Sequence, residues 1–395
     1  MKNNVKELAA KLAPEMIEIR RHLHRNPELS MEEEKTSAYI ASKLQEYNIS
    51  HTRGIAIHGI TALIEGANPG SRTVALRADM DALPITEATG NEYCSTVPGV
   101  MHACGHDAHM ACLLGAANIL QQMKDKFEGT VKLIFQPSEE KFPGGASMMI
   151  KEGVLKNPAP DIMLGQHVLP TLEAGKVGFK AGKYMASTDE VYLTVKGRGG
   201  HAATPDLNVD PVLIAANILV SLQQIISRNA PPAIPAVLSF GRFIAEGRTN
   251  IIPDEVKLAG TLRTFDEKWR ADAHIRITRM ATGIAESMGG TCDVFIDRGY
   301  PFLVNDDTVT QNARQAAIEY LGPENVEDLE MRMTAEDFAY FSQLVPSCFY
   351  RLGTANEKRG ITHNLHTSKF DIDESSLETG AGLMAYLTLK ALGTN

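Results

Sequence analysis

The chain has 395 residues, beyond the roughly 250–300 residues at which a single hydrophobic core stops growing, so we expect two domains. Apolar residues make up 44% of the chain and charged residues 22%, which excludes an intrinsically disordered protein. The net charge of −9 argues against nucleic acid or an anionic membrane surface as a partner.

The chain carries no predicted export or membrane segment. Residues 1–7 lack the apolar core of a signal peptide and run directly into a helical pattern. The longest apolar stretch, around residues 211–222, contains Asn217 and is too short to span a bilayer. The five cysteines are odd in number and include no CxxC pair, which excludes a disulfide framework. We therefore expect a cytoplasmic protein.

The first part of the chain predicts an α/β domain. Two amphipathic helices are predicted at about residues 4–25 and 31–47, and the Ser30–Glu33 spacing is typical of a capping box before the second. Short β-rich runs then alternate with a helix at about 107–123; the strands are predicted at 60–64, 74–77, 131–135 and 162–167. This alternation favours a layered α/β domain with a largely parallel sheet.

The pattern changes near residue 182. A strand at 190–196 is followed by a helix (209–227), two strands (236–244 and 255–264), a helix (266–288) and a strand (291–297). This β-α-β-β-α-β order is typical of the ferredoxin-like unit. Asp266 is suited to begin the second helix, and Gly289 and Gly290 to end it.

Helix–strand alternation returns after about residue 298. Helices are predicted at 308–321, near 335–343 and at 374–391, with a strand at 347–352. The simplest account is one α/β domain, residues 1–181 and 298–395, interrupted by an inserted domain at residues 182–297.

Residues 102–109, His-Ala-Cys-Gly-His-Asp-Ala-His, hold three of the twelve histidines together with Cys104 and Asp107. Thiolate and imidazole groups this close suit zinc or another borderline transition metal. A helix start with satisfied polar residues is the alternative explanation. Buried histidines and cysteines need partners, and a metal ion supplies them, so the cluster favours a metal site.

Four further segments offer metal ligands, and three of them follow apolar strands. The carboxyl ends of strands are where α/β active sites collect. One of two adjacent carboxylates can bind metal while the other acts as a general base, as metal-assisted hydrolysis requires. The candidate residues are Asp79 and Asp81, Glu139 and Glu140, His167, and His363 and His366.

At this point the chain resembles a known family. The segments LRADMDALP, MHACGHDAH, FQPSEE, GGHAATP, NIIPDEV, GTLRTF and LHTSKFDIDE are similar to those of the M20 metallopeptidases. The similarity is to the amidohydrolase branch with hippurate hydrolase, N-acyl-amino-acid deacylases and auxin-conjugate hydrolases, from about Arg20 to the C-terminus. It implies a di-metal α/β catalytic domain with an inserted ferredoxin-like lid domain that commonly mediates dimerisation. A homodimer or larger homo-oligomer is therefore expected.

The resemblance also assigns roles to residues. It implies five metal ligands, which are Cys104, His106, Glu140, His167 and His366. Glu139 becomes the general base. His201, Asn250 and Arg263 resemble residues that approach the substrate, the first two from the lid of a partner subunit. The Arg263 guanidinium matches an α-carboxylate bidentately, although a surface salt bridge is the alternative.

The resemblance places further polar residues near the expected site. Asp81 is expected near the metals or orienting a ligand imidazole. Asp79 either shares that role or holds its loop, and His102 and His109 are not expected to be ligands. Asp206 stands where many relatives have a second histidine. Residues 245–248 also depart from the family pattern, and both differences concern substrate preference.

The expected reaction is hydrolysis of small N-acyl amino acids, acetylated or benzoylated. Two divalent ions (Zn, Mn, Ni or Co) would activate water, with Glu139 as general base and His201 stabilising the oxyanion. A dipeptidase or carboxypeptidase of the same family is the alternative. A different class is a hydrolase with Cys104 as nucleophile. A third is a non-catalytic binding module, against which the complete ligand set and Glu139 argue.

Overall fold

The structure is a computed structural model that describes residues 1–394. It divides into two compact units. The first comprises Met1–Tyr184, Val304–Met331 and the chain from Asp337 onward, and the second comprises Met185–Leu303 and Arg332–Glu336. The second unit therefore includes a short segment, residues 332–336, that lies outside the predicted insertion at 182–297.

The described chain contains helices and strands in alternation. The helices are α1 (Lys2–Arg25), α2 (Glu34–Glu46), α3 (His106–Gln122), α4 (Gly145–Lys151), α5 (Pro211–Gln224), α6 (Glu267–Ser287), α7 (Asp307–Leu321), α8 (Ala339–Ser342) and α9 (Ser376–Ala391). The strands are β1 (Ser50–Ile55), β2 (Gly59–Glu65), β3 (Thr73–Asp79), β4 (Thr130–Gln136), β5 (Ile162–Glu173), β6 (Val177–Phe179), β7 (Gly182–Met185), β8 (Asp189–Lys196), β9 (Gly200–His201), β10 (Ala236–Ile244), β11 (Ile251–Ile252), β12 (Glu255–Thr264), β13 (Thr291–Arg298), β14 (Leu303–Asn305), β15 (Val326–Asp328) and β16 (Ser347–Ala355).

The first unit is built on an eight-stranded sheet with the order β1-β2-β4-β3-β5-β16-β6-β15. The four central strands, β4, β3, β5 and β16, run parallel. β1, β2 and β6 join this group by antiparallel pairing. The prediction of a largely parallel sheet is therefore right only for the centre. β3 and β4 are buried at every position, as expected for parallel strands that are covered on both faces.

Helices α1, α3 and α9 pack closely in the core of the first unit. α3 is apolar around most of its circumference and is buried along almost its whole length. A Cβ atom at Gly115 would lie 2.3 Å from Sδ of Met16 and 2.9 Å from Cβ of Ala381. The absence of a side chain at Gly115 thus lets α3 approach both neighbouring helices. This packing fixes the start of α3, which follows the Cys104–His106 segment.

The second unit confirms the predicted ferredoxin-like order. Its antiparallel sheet runs β10-β12-β8-β13, so its four strands lie in the order 2-3-1-4 of their succession along the chain. α5 and α6 supply a separate hydrophobic core against this sheet. The Asp266 side chain caps α6 by accepting from the Trp269 N–H at 2.8 Å, and Gly289 follows the helix with φ of 81°.

One helical stretch of the described residues, Pro211–Asn229, is long and apolar enough to cross a membrane by length and composition alone. It exceeds the apolar run noted in the sequence because a π-helical turn, Ile225–Asn229, continues α5. Ile214, Ala215 and Ile218 pack into the core of the second unit. The stretch therefore has the buried apolar stripe of a core helix.

Two local predictions are wrong. α2 begins at Glu34, and neither Ser30 nor Glu33 caps it through a side chain. Ser30 Oγ instead donates to Asp81 Oδ2 at 2.6 Å, and Glu33 accepts from the backbone of Ser138. The helix predicted near 335–343 is only the short α8, because the chain before it forms a loop.

Candidate active site

The predicted site residues of the first unit come from adjacent strands and from the start of α3. β3 ends at Asp79, and β4 ends at Gln136, shortly before Glu139. His167 lies within β5, the neighbour of β3 on its other side. Parallel strands present such residues at a common edge of the sheet, where ligands bind in α/β folds.

A glycine brings the Cys104–His106 motif against β5. Gly105 is the N-cap of α3 and adopts φ of 81°, in the left-handed region. A Cβ atom at this position would lie 2.5 Å from Val168 Cγ2. Only glycine satisfies both the dihedral angle and the close approach. Cys104 and His106 are thereby held on either side of the contact with β5.

Cys104, His106 and His167 form a buried group that could hold a metal ion, with ligand atoms within 4.8 Å of one another. Cys104 Sγ lies 3.5 Å from His167 Nε2. His167 Nδ1 lies 2.7 Å from the Val168 carbonyl oxygen, and donation to it leaves Nε2 as the acceptor. Cys104 Sγ and His167 Nε2 therefore face each other within this group.

Cys104 also belongs to a second group, with Glu140 and His366. His366 Nε2 lies 3.1 Å from Glu140 Oε1, and the His366 side chain is 53% exposed. This group is therefore open to solvent on one side. All five residues that the resemblance implies as ligands occur in these two groups, which have Cys104 in common.

Glu139 lies beside the same cluster, in a third group with His106 and Glu140. The Glu139 side chain is buried, and its Oε1 accepts from the Asp337 N–H at 3.3 Å. Asp337 is itself held by the side chains of Arg77 and Gln136, each at 2.8 Å from its Oδ1. A buried hydrogen-bond network of Asp337, Arg77 and Gln136 thus holds the Glu139 carboxylate.

The imidazole of His106 is oriented by Asp81. His106 Nδ1 lies 2.8 Å from the Asp81 carbonyl oxygen and 3.3 Å from Asp81 Oδ1. Asp81 Oδ2 also accepts from the Glu140 N–H at 2.9 Å. With Nδ1 facing Asp81, His106 Nε2 lies 3.7 Å from Asp79 Oδ2 and 4.0 Å from Glu140 Oε1. Asp81 thus contacts both His106 and Glu140, which are two of the candidate metal ligands.

Asp79 and His109 form a neighbouring pair. His109 Nδ1 lies 2.6 Å from Asp79 Oδ1, and its Nε2 accepts from the Val168 N–H at 2.9 Å. Both nitrogens of His109 are therefore engaged within the protein. Asp79 Oδ2 additionally accepts from Arg77 at 2.6 Å. Asp79, His106 and His109 also form a buried group that could hold a metal ion. The expectation that His109 is not a ligand stays a prediction.

The charges of the site favour a bound cation. Burial lowers the pKa of His106, but Asp79, Asp81 and Glu140 outweigh it and raise this pKa to about 10. Four carboxylates, those of Asp79, Asp81, Glu139 and Glu140, thus lie close to the His106 imidazole. An excess of negative charge in a buried space is stabilised by a cation.

The thiol of Cys104 is suited to metal binding and not to nucleophilic attack. Burial, followed by the charges of Glu140, Glu139 and Asp79, raises its pKa well above the usual range. A nucleophilic cysteine needs the opposite surroundings, since a lowered pKa is what produces the reactive thiolate. A metal ion would stabilise the thiolate directly.

The donor set fits a metal centre by a further observation. Within residues 1–394, His106 Nε2 is buried and has no hydrogen-bond partner. A buried polar atom without a partner costs about 1–3 kcal/mol unless something binds it. A thiolate, imidazoles and carboxylates are the ligands that zinc and similar ions prefer.

The chain matches a characterised family over most of its length. The family described as "Peptidase family M20/M25/M40" matches residues 75–390. The chain belongs to the M20 family. A thermostable carboxypeptidase from Saccharolobus solfataricus is 39% identical over 99% of this chain and 98% of its own length. An N-acyl-L-amino acid amidohydrolase from Geobacillus stearothermophilus is 41% identical over 78% of this chain and 82% of its own.

A solved structure supports the same assignment. It is that of a Bacillus subtilis protein described as a dinuclear metal binding peptidase of the M20 family, and it is 33% identical with a TM-score of 0.82. The match covers 98% of this chain and 100% of the other. Membership of the amidohydrolase branch, the catalytic-plus-lid fold and the hydrolysis of amide bonds are thereby confirmed.

The three M20 residues expected at the substrate lie in the second unit. His201 and Asn250 are neighbours, since β9 and β11 pair at His201 and Ile251 and the Asn250 carbonyl accepts from the Ala202 N–H. His201 is exposed, and its Nδ1 accepts from the Ala203 N–H at 3.0 Å.

Arg263 is half-buried on β12, and its Nε donates to Thr261 Oγ1 at 3.1 Å. Burial lowers the pKa of its guanidinium. Within the described residues no carboxylate lies within salt-bridge distance of Arg263, so the surface salt bridge considered from the sequence is not found.

Residues that the sequence analysis missed also contact this M20 site. The capping-box spacing of Ser30 and Glu33 predicts a helix cap, yet both side chains contact the site loops. The sequence pattern drew attention to Ser30 and Glu33 but not to these contacts, because the same residue types serve in helix caps and in tertiary contacts. The contact of Asp337 with this site could not be predicted, because a single acidic residue in a short loop forms no recognisable sequence pattern.

His102 occupies an unusual position. It is buried, and neither ring nitrogen has a hydrogen-bond partner within residues 1–394. Burial lowers its pKa to about 4, so the ring is neutral at pH 7. It belongs to none of the candidate ligand groups, and the expectation that His102 is not a ligand stays a prediction.

Proposed function

We propose that this protein is a metal-dependent amidohydrolase that cleaves N-acyl amino acids of the acetyl or benzoyl type. The observation that carries the proposal is the pair of ligand groups that share Cys104, with the carboxylate of Glu139 beside them. The similarity to an N-acyl-L-amino acid amidohydrolase supports the substrate class.

Two divalent ions, of Zn, Mn, Ni or Co, would be held by Cys104, His106, Glu140, His167 and His366. When bound, such ions lower the pKa of water to about 7 and polarise a carbonyl group. Asp81 would keep His106 in the tautomer that offers Nε2 as a ligand, because Nδ1 faces its carbonyl oxygen.

Glu139 would act as general base and then as general acid. Its carboxylate takes a proton from the attacking water and delivers it to the nitrogen of the leaving amino acid. A positioned group of this kind contributes roughly 10²–10⁴-fold to the rate. Its hydrogen bond from the Asp337 N–H, itself part of a buried network, supports a fixed orientation.

The second unit would supply the substrate contacts. We propose that Arg263 binds the α-carboxylate, since a guanidinium matches a carboxylate bidentately and this one has no carboxylate within salt-bridge distance in residues 1–394. His201 would donate to the developing oxyanion, and Asn250 would contact the substrate nearby. A homodimer or larger homo-oligomer is proposed, in which His201 and Asn250 serve a partner subunit.

The test is hydrolysis of a panel of N-acetyl and N-benzoyl amino acids by purified, metal-loaded protein, with dipeptides and longer peptides alongside. We expect turnover of N-acyl amino acids; absence of turnover across the panel would overturn the proposal. Turnover confined to peptides would favour the carboxypeptidase or dipeptidase alternative, which the similarity to a carboxypeptidase keeps open.

The variant Glu139→Gln separates the roles of the two glutamates. We expect it to lower kcat by about 10²-fold or more, as loss of a general base does, with metal content unchanged. Glu140→Gln is the matched control and should lose metal. If Glu139→Gln loses metal instead, the two roles are exchanged. Inactivation by chelator with rescue by added metal would favour metal catalysis over Cys104 as nucleophile, whereas alkylation unaffected by bound metal would favour the thiol.

A further inference from the structure

The segment before α2 contacts the site at two points. Ser30 Oγ donates to Asp81 Oδ2 at 2.6 Å. Three residues later, Glu33 Oε1 accepts from the backbone N–H of Ser138 at 2.8 Å. Ser138 directly precedes Glu139 and Glu140 in the chain. The segment therefore reaches the loop that carries both glutamates.

The backbone of this loop is strained at its entry. Ser138 adopts φ of 55°, in the left-handed region that non-glycine residues seldom occupy. Such a conformation is unfavourable and persists only where surrounding contacts enforce it. Ser138 is fully buried, and its hydroxyl has no hydrogen-bond partner within residues 1–394. The side-chain hydroxyl therefore does not supply the enforcement.

The Glu33 carboxylate is costly where it lies. Its side chain is 0% exposed. Its second oxygen, Oε2, has no hydrogen-bond partner among residues 1–394, and the side chain does not cap α2. Burying a carboxylate with one oxygen unpaired is unfavourable for folding alone. Local helix formation thus gives no reason for an acid at this position.

We infer that Glu33 is a positioning residue for the metal centre. By accepting from the Ser138 N–H it holds Ser138 in the left-handed conformation, and this sets the directions in which Glu139 and Glu140 leave the loop. The inference rests on the proposed function only in taking Glu140 as a metal ligand. When a hydrogen bond that orients a metal ligand is removed, metal affinity or activity typically falls by about 10–100-fold.

Three substitutions of Glu33 separate its possible contributions. Glu33→Gln retains an oxygen acceptor of the same reach without the charge. Glu33→Leu has similar size but cannot accept a hydrogen bond. Glu33→Asp keeps the charge but withdraws the carboxylate by one methylene from Ser138. Glu32→Leu is the matched control, because Glu32 is the exposed neighbouring acid.

The measurement is zinc retention by the full-length, zinc-loaded protein against increasing chelator, with bound zinc counted by mass spectrometry. We expect Glu33→Leu and Glu33→Asp to lose zinc at about 10–100-fold lower free chelator than the parent. Glu33→Gln and Glu32→Leu should stay within about threefold of it. Turnover of any substrate found should fall in kcat, with KM nearly unchanged, in the same two variants.

Zinc retention does not depend on the substrate, so failure of the N-acyl panel leaves this test intact. Parental retention by folded Glu33→Leu would overturn the inference. Loss of zinc by Glu33→Gln with parental retention by Glu33→Asp would also overturn it, because charge and not the Ser138 contact would then decide. If Glu33→Leu does not fold, the contrast between Glu33→Gln and Glu33→Asp still decides the outcome.

Discussion

Arg20 shows how much a single buried charge contributes to this fold. Its side chain is 0% exposed and contacts three carboxylates: Asp107 at 2.8 Å, Asp371 at 2.8 Å and Glu374 at 3.4 Å. These acids come from the first turn of α3 and from the chain just before α9. Removing the guanidinium would leave Asp107 and Asp371 without an arginine partner, which is strongly destabilising.

We expect Arg20→Met to lower the free energy of unfolding by about 3–5 kcal/mol, the usual cost of breaking a buried ion pair from one side. Arg21→Met is the control, because Arg21 pairs with Glu374 at 2.6 Å but is 31% exposed. Its loss should cost at most about 1 kcal/mol. Urea unfolding measures both, and equal costs would contradict the assigned importance of burial.

The residue types of the site could be predicted from the sequence, but their supports could not. Cys104 and Glu140 were recognisable because thiolates and strand-end carboxylates suit a metal. Ser30 and Glu33 matched a local pattern that the fold does not use. Their actual partners, Asp81 and Ser138, lie 51 and 105 residues away. Only the tertiary structure chooses between such alternatives.

At the scale of elements, the sequence predicted the bounds of the longer strands of the second unit but did not predict the short strands. β10 and β12 have the predicted bounds. β6 and β15 are three residues long and pair with each other. They are about 150 residues apart in sequence, and such pairings leave no local signal.

The loop between β3 and α3 is tied to α1 by Glu87. Its Oε1 lies 3.2 Å from His24 Nε2, and its Oε2 accepts from the Ser95 N–H at 2.7 Å. Burial raises the pKa of Glu87, but the hydrogen bonds from His24 and Ser95 outweigh it, and the pKa falls to about 2 from its ordinary 4.5. The folded state therefore stabilises the ionised carboxylate.

The sign of the pH dependence follows from this lowered pKa. The stabilisation is present above pH 4.5 and is lost as the pH falls from 4.5 toward 2. We expect Glu87→Gln to lower the free energy of unfolding at pH 7 by about 1–3 kcal/mol, with a smaller difference at pH 3. Glu92→Gln, at an exposed position of the same loop, should show neither effect. A pH-independent cost of Glu87→Gln would contradict the ionic explanation.

At the scale of the whole molecule, length predicted two domains and the element order predicted an insertion. The structure has two hydrophobic cores, one around α3 and the large sheet and one between α5, α6 and the smaller sheet. The order of strands within the smaller sheet followed from a known motif. The mixed pairing at the edges of the large sheet did not, because the direction of an edge strand depends on its connection and not on its composition.

Two separate cores predict two unfolding transitions. Leu133 is fully buried in the first core and Leu193 is buried in the second. Each substitution by alanine should cost about 2–5 kcal/mol and lower the midpoint of only one transition.

Every proposed metal ligand lies in the first unit. Zinc at 100 times its Kd should therefore stabilise that unit by about 2.7 kcal/mol and leave the second transition in place. Differential scanning calorimetry of the two variants, with and without zinc, makes the comparison; a single transition shifted by both substitutions would show that the units unfold as one.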